Sequence, residues 1–219
     1  MLPGRFAAET IVSDVAVRVQ SNAESESDLS DAMLQVARAL APLKSPRIDR
    51  LVPRSQDAAR RNSLSATFGL GAFPLHSDLA HWTTPARFVV LGAASASPSS
   101  ARTTVLAVPP LSTEAEFNSV AAGIFVISNG SKSFLGSICR KGCPFFRFDA
   151  ACMKALNPAS TNAYQIFDHH LRGRPATTVQ WCVGDILILD NWTALHGRTA
   201  IAKSNDDRVL LRLRVGGQP

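Results

Sequence analysis

His76-Ser77-Asp78, with His196 far downstream, could hold a single redox-active metal ion. On an extended strand, residues two apart point to the same face, so His76 and Asp78 can grip one ion together. Two imidazoles and one carboxylate on one side of Fe(II) leave the opposite positions open for an oxidisable co-substrate and for O₂. The local frames are Phe73-Pro74-Leu75-His76-Ser77-Asp78 and Gly184-Asp185-Ile186-Leu187-Ile188-Leu189-Asp190-Asn191-Trp192, the latter running on to Leu195-His196-Gly197-Arg198.

Positioning such distant ligands calls for a fold in which an early and a late strand cross one cavity. From residue 63 onward the sequence reads as short strands between turn signals, at 64–70, 73–78, 87–93, 103–108, 145–148, 178–181, 185–189 and 208–215. A hairpin is expected over 123–139, turning at Asn129-Gly130. Helices are expected from Asp28 or Ser30 to about Leu43, from 113 to 121 behind Ser112, and from 160 to 171. Residues 46–62 read as an exposed connection of low regularity. Many strands, few helices and no βαβ alternation predict a mainly β fold, a double-stranded β-helix (jelly roll, cupin-like) with a few flanking helices. The expected organisation is one domain over 1–219, with an N-terminal helix and irregular lead-in at 1–62 and the jelly-roll core at 63–219.

The 219 residues suffice for a full core, and 46% hydrophobic with 18% charged residues suits a globular chain. No stretch reaches the roughly 18 apolar residues of a membrane span. The start has no basic-then-apolar order of a secretory signal, and the chain reads as cytoplasmic. Net charge is +6, but the basic residues are scattered and not interleaved with aromatics, which argues against nucleic acid; a small anionic substrate or co-substrate explains the balance as well. Homo-oligomerisation is left open. Cys139 and Cys143 have a metal-like spacing but lack two further ligands, and Cys152 and Cys182 read as buried thiols. His81, His169 and His170 read as ordinary core or surface residues. Adjacent side chains on a helix diverge, so Asp168, His169 and His170 cannot share an ion. Asp185 fits a turn, while Asp190 and Asn191 fit a loop that presents His196.

The ligand frames, together with Thr84-Pro85 and the Gly-Asp…Asp-Asn…Leu-His-Gly-Arg run, resemble the taurine dioxygenase/clavaminate synthase family of Fe(II)- and 2-oxoglutarate-dependent oxygenases. The similarity runs from about residue 69 to residue 215. It implies that His76, Asp78 and His196 bind Fe(II). It also implies that Arg208 clamps the far carboxylate of the co-substrate 2-oxoglutarate, helped by Thr103 or, failing that, Thr104. Arg212 matches an arginine that several members set against an anionic substrate. The resemblance further implies that O₂ and a small organic molecule are consumed, by hydroxylation or a related two-electron oxidation. Halogenation is disfavoured because Asp78 is present where an alanine or glycine would signal it. The sequence departs from the family pattern at Ser100-Ala101-Arg102, where a Gly-rich segment is usual, and its lid regions are short. Those short regions keep a second reading alive, a jelly-roll module that binds a small molecule or metal without oxidising anything.

Arg208, Leu210, Arg212 and Arg214 share one face of the last strand, and Val209, Leu211, Leu213 and Val215 the other. From that strand alone, the apolar face goes to the core and the arginines to water. The upstream ligand pair reverses this for Arg208 and more weakly for Arg212, and leaves Arg214 under the default.

Overall fold

The computed structural model describes residues 6–43, 45–108, 110–201 and 207–217. In chain order the elements are β1 (Phe6–Ser13), β2 (Ala16–Ser21), α1 (Glu26–Leu40), β3 (Ile48–Leu51), α2 (Leu64–Phe68), β4 (Phe73–His76), β5 (Phe88–Ser95) and β6 (Thr103–Ala107). They continue with α3 (Glu114–Ala122), β7 (Phe125–Ser128), β8 (Ser133–Gly136), β9 (Met153–Ala155), α4 (Pro158–Leu171), β10 (Thr177–Val179), β11 (Asp185–Asp190), β12 (Ala194–Arg198) and β13 (Val209–Val215). Among the described residues every strand pairing is antiparallel.

Two sheets make the jelly roll, one of six strands in the order β1-β2-β11-β5-β13-β3 and one of four in the order β10-β6-β12-β4. They face each other across a core of Val89, Leu91, Ala93, Leu187, Leu189 and Leu210 from the larger sheet, against Val105, Val179 and Ala194 from the smaller. Helix α1 covers the outer face of the larger sheet, packing Leu29, Met33 and Val36 on Val19, Val90, Ile186, Leu211, Leu213 and Val215. The outer face of the smaller sheet, through Leu106 and Leu195, packs on Val120 of α3 and on Ala163, Phe167 and Leu171 of α4, with the β8-β7-β9 sheet alongside. The mainly β jelly roll with flanking helices is therefore borne out.

Local corrections have identifiable causes. In place of the strand expected at 64–70, residues 64–68 are helical at α2, because Ser63 accepts a hydrogen bond from the Ala66 amide and caps a turn of helix there. Helix α1 starts behind Ser25, not Asp28 or Ser30. The Ser25 hydroxyl oxygen accepts from the Asp28 amide, and its hydrogen goes to the Asp28 carboxylate. Thr113, not Ser112, caps α3, and Asn157 caps α4 in a reciprocal pair with Ser160. Residues 145–148 are not a strand. Their backbone is shared among Trp192, Ile138 and Ser77 rather than with one neighbouring strand. The hairpin at β7–β8 matches the expectation.

The boundary drawn at residue 63 does not follow the sheet. β2 lies between β1 and β11, and β3, inside the stretch expected to be irregular, pairs with β13 along Ile48–Leu51. Cys182 is exposed rather than buried, since Trp181 before it takes the inward position. All four cysteines are free thiols. Among the described residues no helix is long and apolar enough to cross a membrane.

The pairing of α1 with β13 should be visible as stability. Leu211→Ala, at a side chain 1% exposed, is expected to lower unfolding free energy by about 2–5 kcal/mol. Urea unfolding followed by circular dichroism checks this, and a loss under about 1 kcal/mol would show a loosely packed contact.

Candidate metal centre

His76 ends β4, an edge strand of the smaller sheet, where Pro74 is tolerated because it has only one neighbour to satisfy. β12 runs beside it and sets His196 directly opposite His76. The two imidazoles lie with centroids 4.5 Å apart, and both residues are buried. Gly197 makes that approach feasible: a Cβ there would stand 2.6 Å from the Phe73 carbonyl oxygen and 2.9 Å from Thr104 Oγ1. Arg198, next in the chain, donates through Nη2 to the carbonyls of Gly69 at 2.8 Å and Gly71 at 2.6 Å, fixing the turn that leads into β4.

Asp78 follows on a segment tied down from three sides. The Ser77 amide donates to the Phe148 carbonyl at 2.8 Å, and the Phe148 amide returns to Ser77 Oγ at 3.2 Å. The Asp78 amide donates to Asn191 Oδ1 at 2.7 Å, while Asn191 Nδ2 donates to the carbonyls of Asp78 at 3.0 Å and Ala86 at 2.7 Å. Buried Arg147 donates to the carbonyls of Ala80, Trp82 and Thr83 just beyond. Leu79 holds a left-handed backbone (φ 57), and its amide donates to Asp78 Oδ1 at 3.0 Å. A non-glycine residue kept in that region needs surroundings that over-determine it, as these contacts do.

β13 supplies the facing charges. Because α1 takes Leu211, Leu213 and Val215, the arginine face turns into the space between the sheets. This corrects the default drawn from the strand alone, and it extends to Arg214. Arg212 Nη1 lies 3.2 Å from Asp78 Oδ2 and Arg214 Nε 3.2 Å from the same oxygen. Behind them Asp49 of β3 accepts from Arg214 Nη1 at 2.7 Å and stands 3.5 Å from Arg212 Nη2. Arg208 is buried, and its Nη1 crosses to the Ala101 carbonyl at 3.0 Å, two residues before Thr103. Thr103 is buried on the inward face of β6, paired across β12 with Arg198, and its Oγ1 accepts from Trp181 Nε1 at 3.0 Å. The alternative hydroxyl, Thr104, pairs with Gly197 and lies one position along the strand, on its opposite face.

The electrostatics follow from burial and these neighbours. Burial would raise the Asp78 carboxyl, but Arg212 and Arg214 outweigh it and hold it well below the usual carboxylate range. Burial, with His76 adjacent, pushes His196 down from 6.5 to about 3 although Asp78 opposes this, so the ring is neutral as a metal ligand must be. His76 Nδ1 sits 3.0 Å from the Pro74 carbonyl, which assigns the ring proton there and leaves Nε2 as a lone-pair donor. His196 Nδ1 is buried without a hydrogen-bond partner. An orphaned imidazole nitrogen beside a second oriented imidazole and an ionised carboxylate fits a divalent metal. As the side chains stand, however, no three His, Cys, Asp or Glu groups among the described residues are gathered tightly enough to hold an ion. Asp78 is occupied by guanidinium groups, so a metal has to replace part of that contact.

The remaining sequence candidates lie elsewhere. His170 Nε2 contacts the Pro110 carbonyl at an exposed helix end. Asp185 Oδ2 accepts from the Cys182 amide in the turn before β11, and Asp190 Oδ1 accepts from the Trp192 amide. Asn191 was expected to serve the loop before His196. It holds the Asp78 backbone instead. Arg147 and Trp181 carry no signal in the sequence, whereas Arg214, assigned there to solvent by default, meets Asp78 instead.

Comparison with known proteins follows the same lines. The family model described as "Taurine catabolism dioxygenase TauD, TfdA family" matches residues 128–214, the part that carries His196, Arg208 and Arg212. The fold is similar to that of asparagine oxygenase, solved with Fe(II), 2S,3S-3-hydroxyasparagine and succinate. Identity there is 20% and the TM-score 0.69, over 96% of this chain and 69% of that one. It is also similar to the non-heme iron oxygenase OrfP solved with Fe and alpha-ketoglutaric acid, at 22% identity and TM-score 0.59, over 77% of this chain and 56% of OrfP. No curated protein matches the sequence. The resemblance to the taurine dioxygenase/clavaminate synthase-like oxygenases, read first from the ligand motifs, is borne out.

The buried, neutral His196 gives the metal-free protein a pH signature. The unfolded chain takes up a proton that the fold refuses, so stability present above 6.5 is lost as pH falls from there toward about 3. The depressed Asp78 adds a loss only below the ordinary carboxylate value of 3.8. From about pH 7 to about pH 5 the melting temperature should therefore fall less in His196→Asn than in the parent. Equal slopes would contradict a buried neutral ring.

Proposed function

We propose that the protein is an Fe(II)- and 2-oxoglutarate-dependent oxygenase acting on a C–H bond of a small anionic substrate of amino-acid type. The observation that carries this reading is the meeting of His76 and His196 beside Asp78, in the same inter-sheet space that receives Arg208, Arg212 and Thr103. Fe(II) would be held by His76, Asp78 and His196, and when bound it supplies O₂ activation and substrate oxidation, coupled to conversion of 2-oxoglutarate to succinate and CO₂.

The chain's own groups do the positioning. Arg208 presents a planar fork suited to two-point capture of a carboxylate, and the Thr103 hydroxyl adds one more donor. Arg212 reads an anionic group of the substrate, with Asp49 as its counter-charge when it leaves Asp78. Closely packed Val105, Leu210 and Ala194 keep water from the inter-sheet space beside the site. The solved relatives bound to 3-hydroxyasparagine and to 3-hydroxy-arginine support an amino-acid substrate. The free thiols suit a reducing, cytoplasmic setting.

One observation favours a second reading, a binding module that does not oxidise: the Asp78 carboxylate is turned to Arg212 and Arg214. Turnover separates the two. With Fe(II), 2-oxoglutarate and a panel of amino acids under air, succinate should accumulate; none with any of them, and no anaerobic charge-transfer band, would reject the oxygenase. His76→Ala is expected to abolish metal-dependent succinate formation. Arg208→Ala should raise the KM for 2-oxoglutarate at least about tenfold with a smaller change in kcat, and Arg208→Lys should recover only part, because an ammonium cannot make the forked contact. Full recovery by lysine would remove the two-point clamp.

A further inference from the structure

Resting on the co-substrate reading above, we propose that Trp181 is a positioning residue for the 2-oxo acid: its indole fixes the Thr103 hydroxyl so that the hydroxyl proton is donated to the far carboxylate. Trp181 follows β10, is 2% exposed, and fills the core between the two sheets with Val105, Val179 and Leu210. Its Nε1 lies 3.0 Å from Thr103 Oγ1, and Thr103 is itself 3% exposed. The direction of this bond is fixed by chemistry. An indole N–H can only donate, so the hydroxyl oxygen accepts.

A hydroxyl has one hydrogen and two lone pairs. With one lone pair taken by the indole, the hydrogen is confined to the remaining directions. Among the described residues the indole is the only hydrogen-bond partner of the Thr103 side chain. A buried hydroxyl without an acceptor is costly, so the site is incomplete without a ligand oxygen there. Arg208 supplies the complementary charge, reaching the Ala101 carbonyl two residues upstream on the approach to β6. A carboxylate seated between Arg208 and Thr103 would accept from both. Accepting a bond from the indole also makes the hydroxyl a better donor, because hydrogen bonds in a chain polarise one another.

An indole that merely satisfies its own N–H predicts something different, so the two are separable. Binding is measured by anaerobic calorimetry on the intact Fe(II)-loaded protein, with 2-oxoglutarate and with 2-oxobutanoate, which keeps the 2-oxo acid end but lacks the far carboxylate. Trp181→Phe should weaken 2-oxoglutarate about five- to tenfold and leave 2-oxobutanoate within about twofold. Thr103→Val should show the same selectivity, Thr103→Ser should restore the parent affinity, and Trp181→Phe should add nothing further in the Thr103→Val background. A benzothienylalanine placed at 181, equal in size but without a donor, gives the same readout if the phenylalanine variant does not fold.

Equal weakening of both acids, no weakening of either, or additive effects in the double variant would overturn the proposal. Should the parent protein itself fail to prefer 2-oxoglutarate over 2-oxobutanoate, the co-substrate reading falls and takes this inference with it. A preference retained in the parent but unaffected at 181 defeats the inference alone.

Discussion

Burial of one face of β13 beneath α1 is the constraint on which the site depends. Leu211, Leu213 and Val215 are each 1% exposed or less, and they lie against the apolar stripe of α1. A strand that gives one face to a helix has only one place left for the other. Arg208, Arg212 and Arg214 are thereby carried into the space between the sheets, where three guanidinium groups would otherwise be unwelcome. The positive charge of the cavity is thus a consequence of hydrophobic packing on its outside.

That charge is matched within the fold. Arg212 and Arg214 sit between Asp78 and Asp49, so two positive and two negative groups balance in a half-buried cluster. Removing one member of such a cluster leaves an uncompensated charge. On the proposed reading, metal and substrate binding would be linked exchanges of partners: a cation at Asp78 would release guanidinium groups, and an anionic substrate would receive them. Asn191 and Arg147 keep the Asp78 segment in place through its backbone, leaving the carboxylate as the part that changes partner.

Much of this was legible in the sequence, and the gaps have physical causes. The sequence points to His76, Asp78 and His196 as neighbours, and the structure does bring the two imidazoles together; the expected strand 73–78 ends at His76, however, and Asp78 reaches the same place from the turn beyond it, held there by Asn191. Arg214 was misjudged because a single strand does not say which of its faces is covered; only α1, a tertiary partner, decides that. Asn191 was assigned to its sequence neighbours, yet it bonds to Asp78, 113 positions away. α2 escaped notice because five residues behind a serine cap carry no usable period. β3 was hidden in an arginine-rich stretch because as an edge strand it needs only one partner; its Asp49 faces the charged cluster while Arg50 turns outward to Glu26.

At the centre of the proposed site, three side chains, His76, Asp78 and His196, would share one ion. Crystals grown without oxygen and soaked in Fe(II), with diffraction recorded on both sides of the iron absorption edge, test it most directly. One anomalous peak within bonding distance of His76, Asp78 and His196, with Arg214 displaced from the Asp78 carboxylate, is the predicted result. A peak elsewhere, or an iron bound only by the two histidines while Asp78 keeps both guanidinium partners, would contradict it.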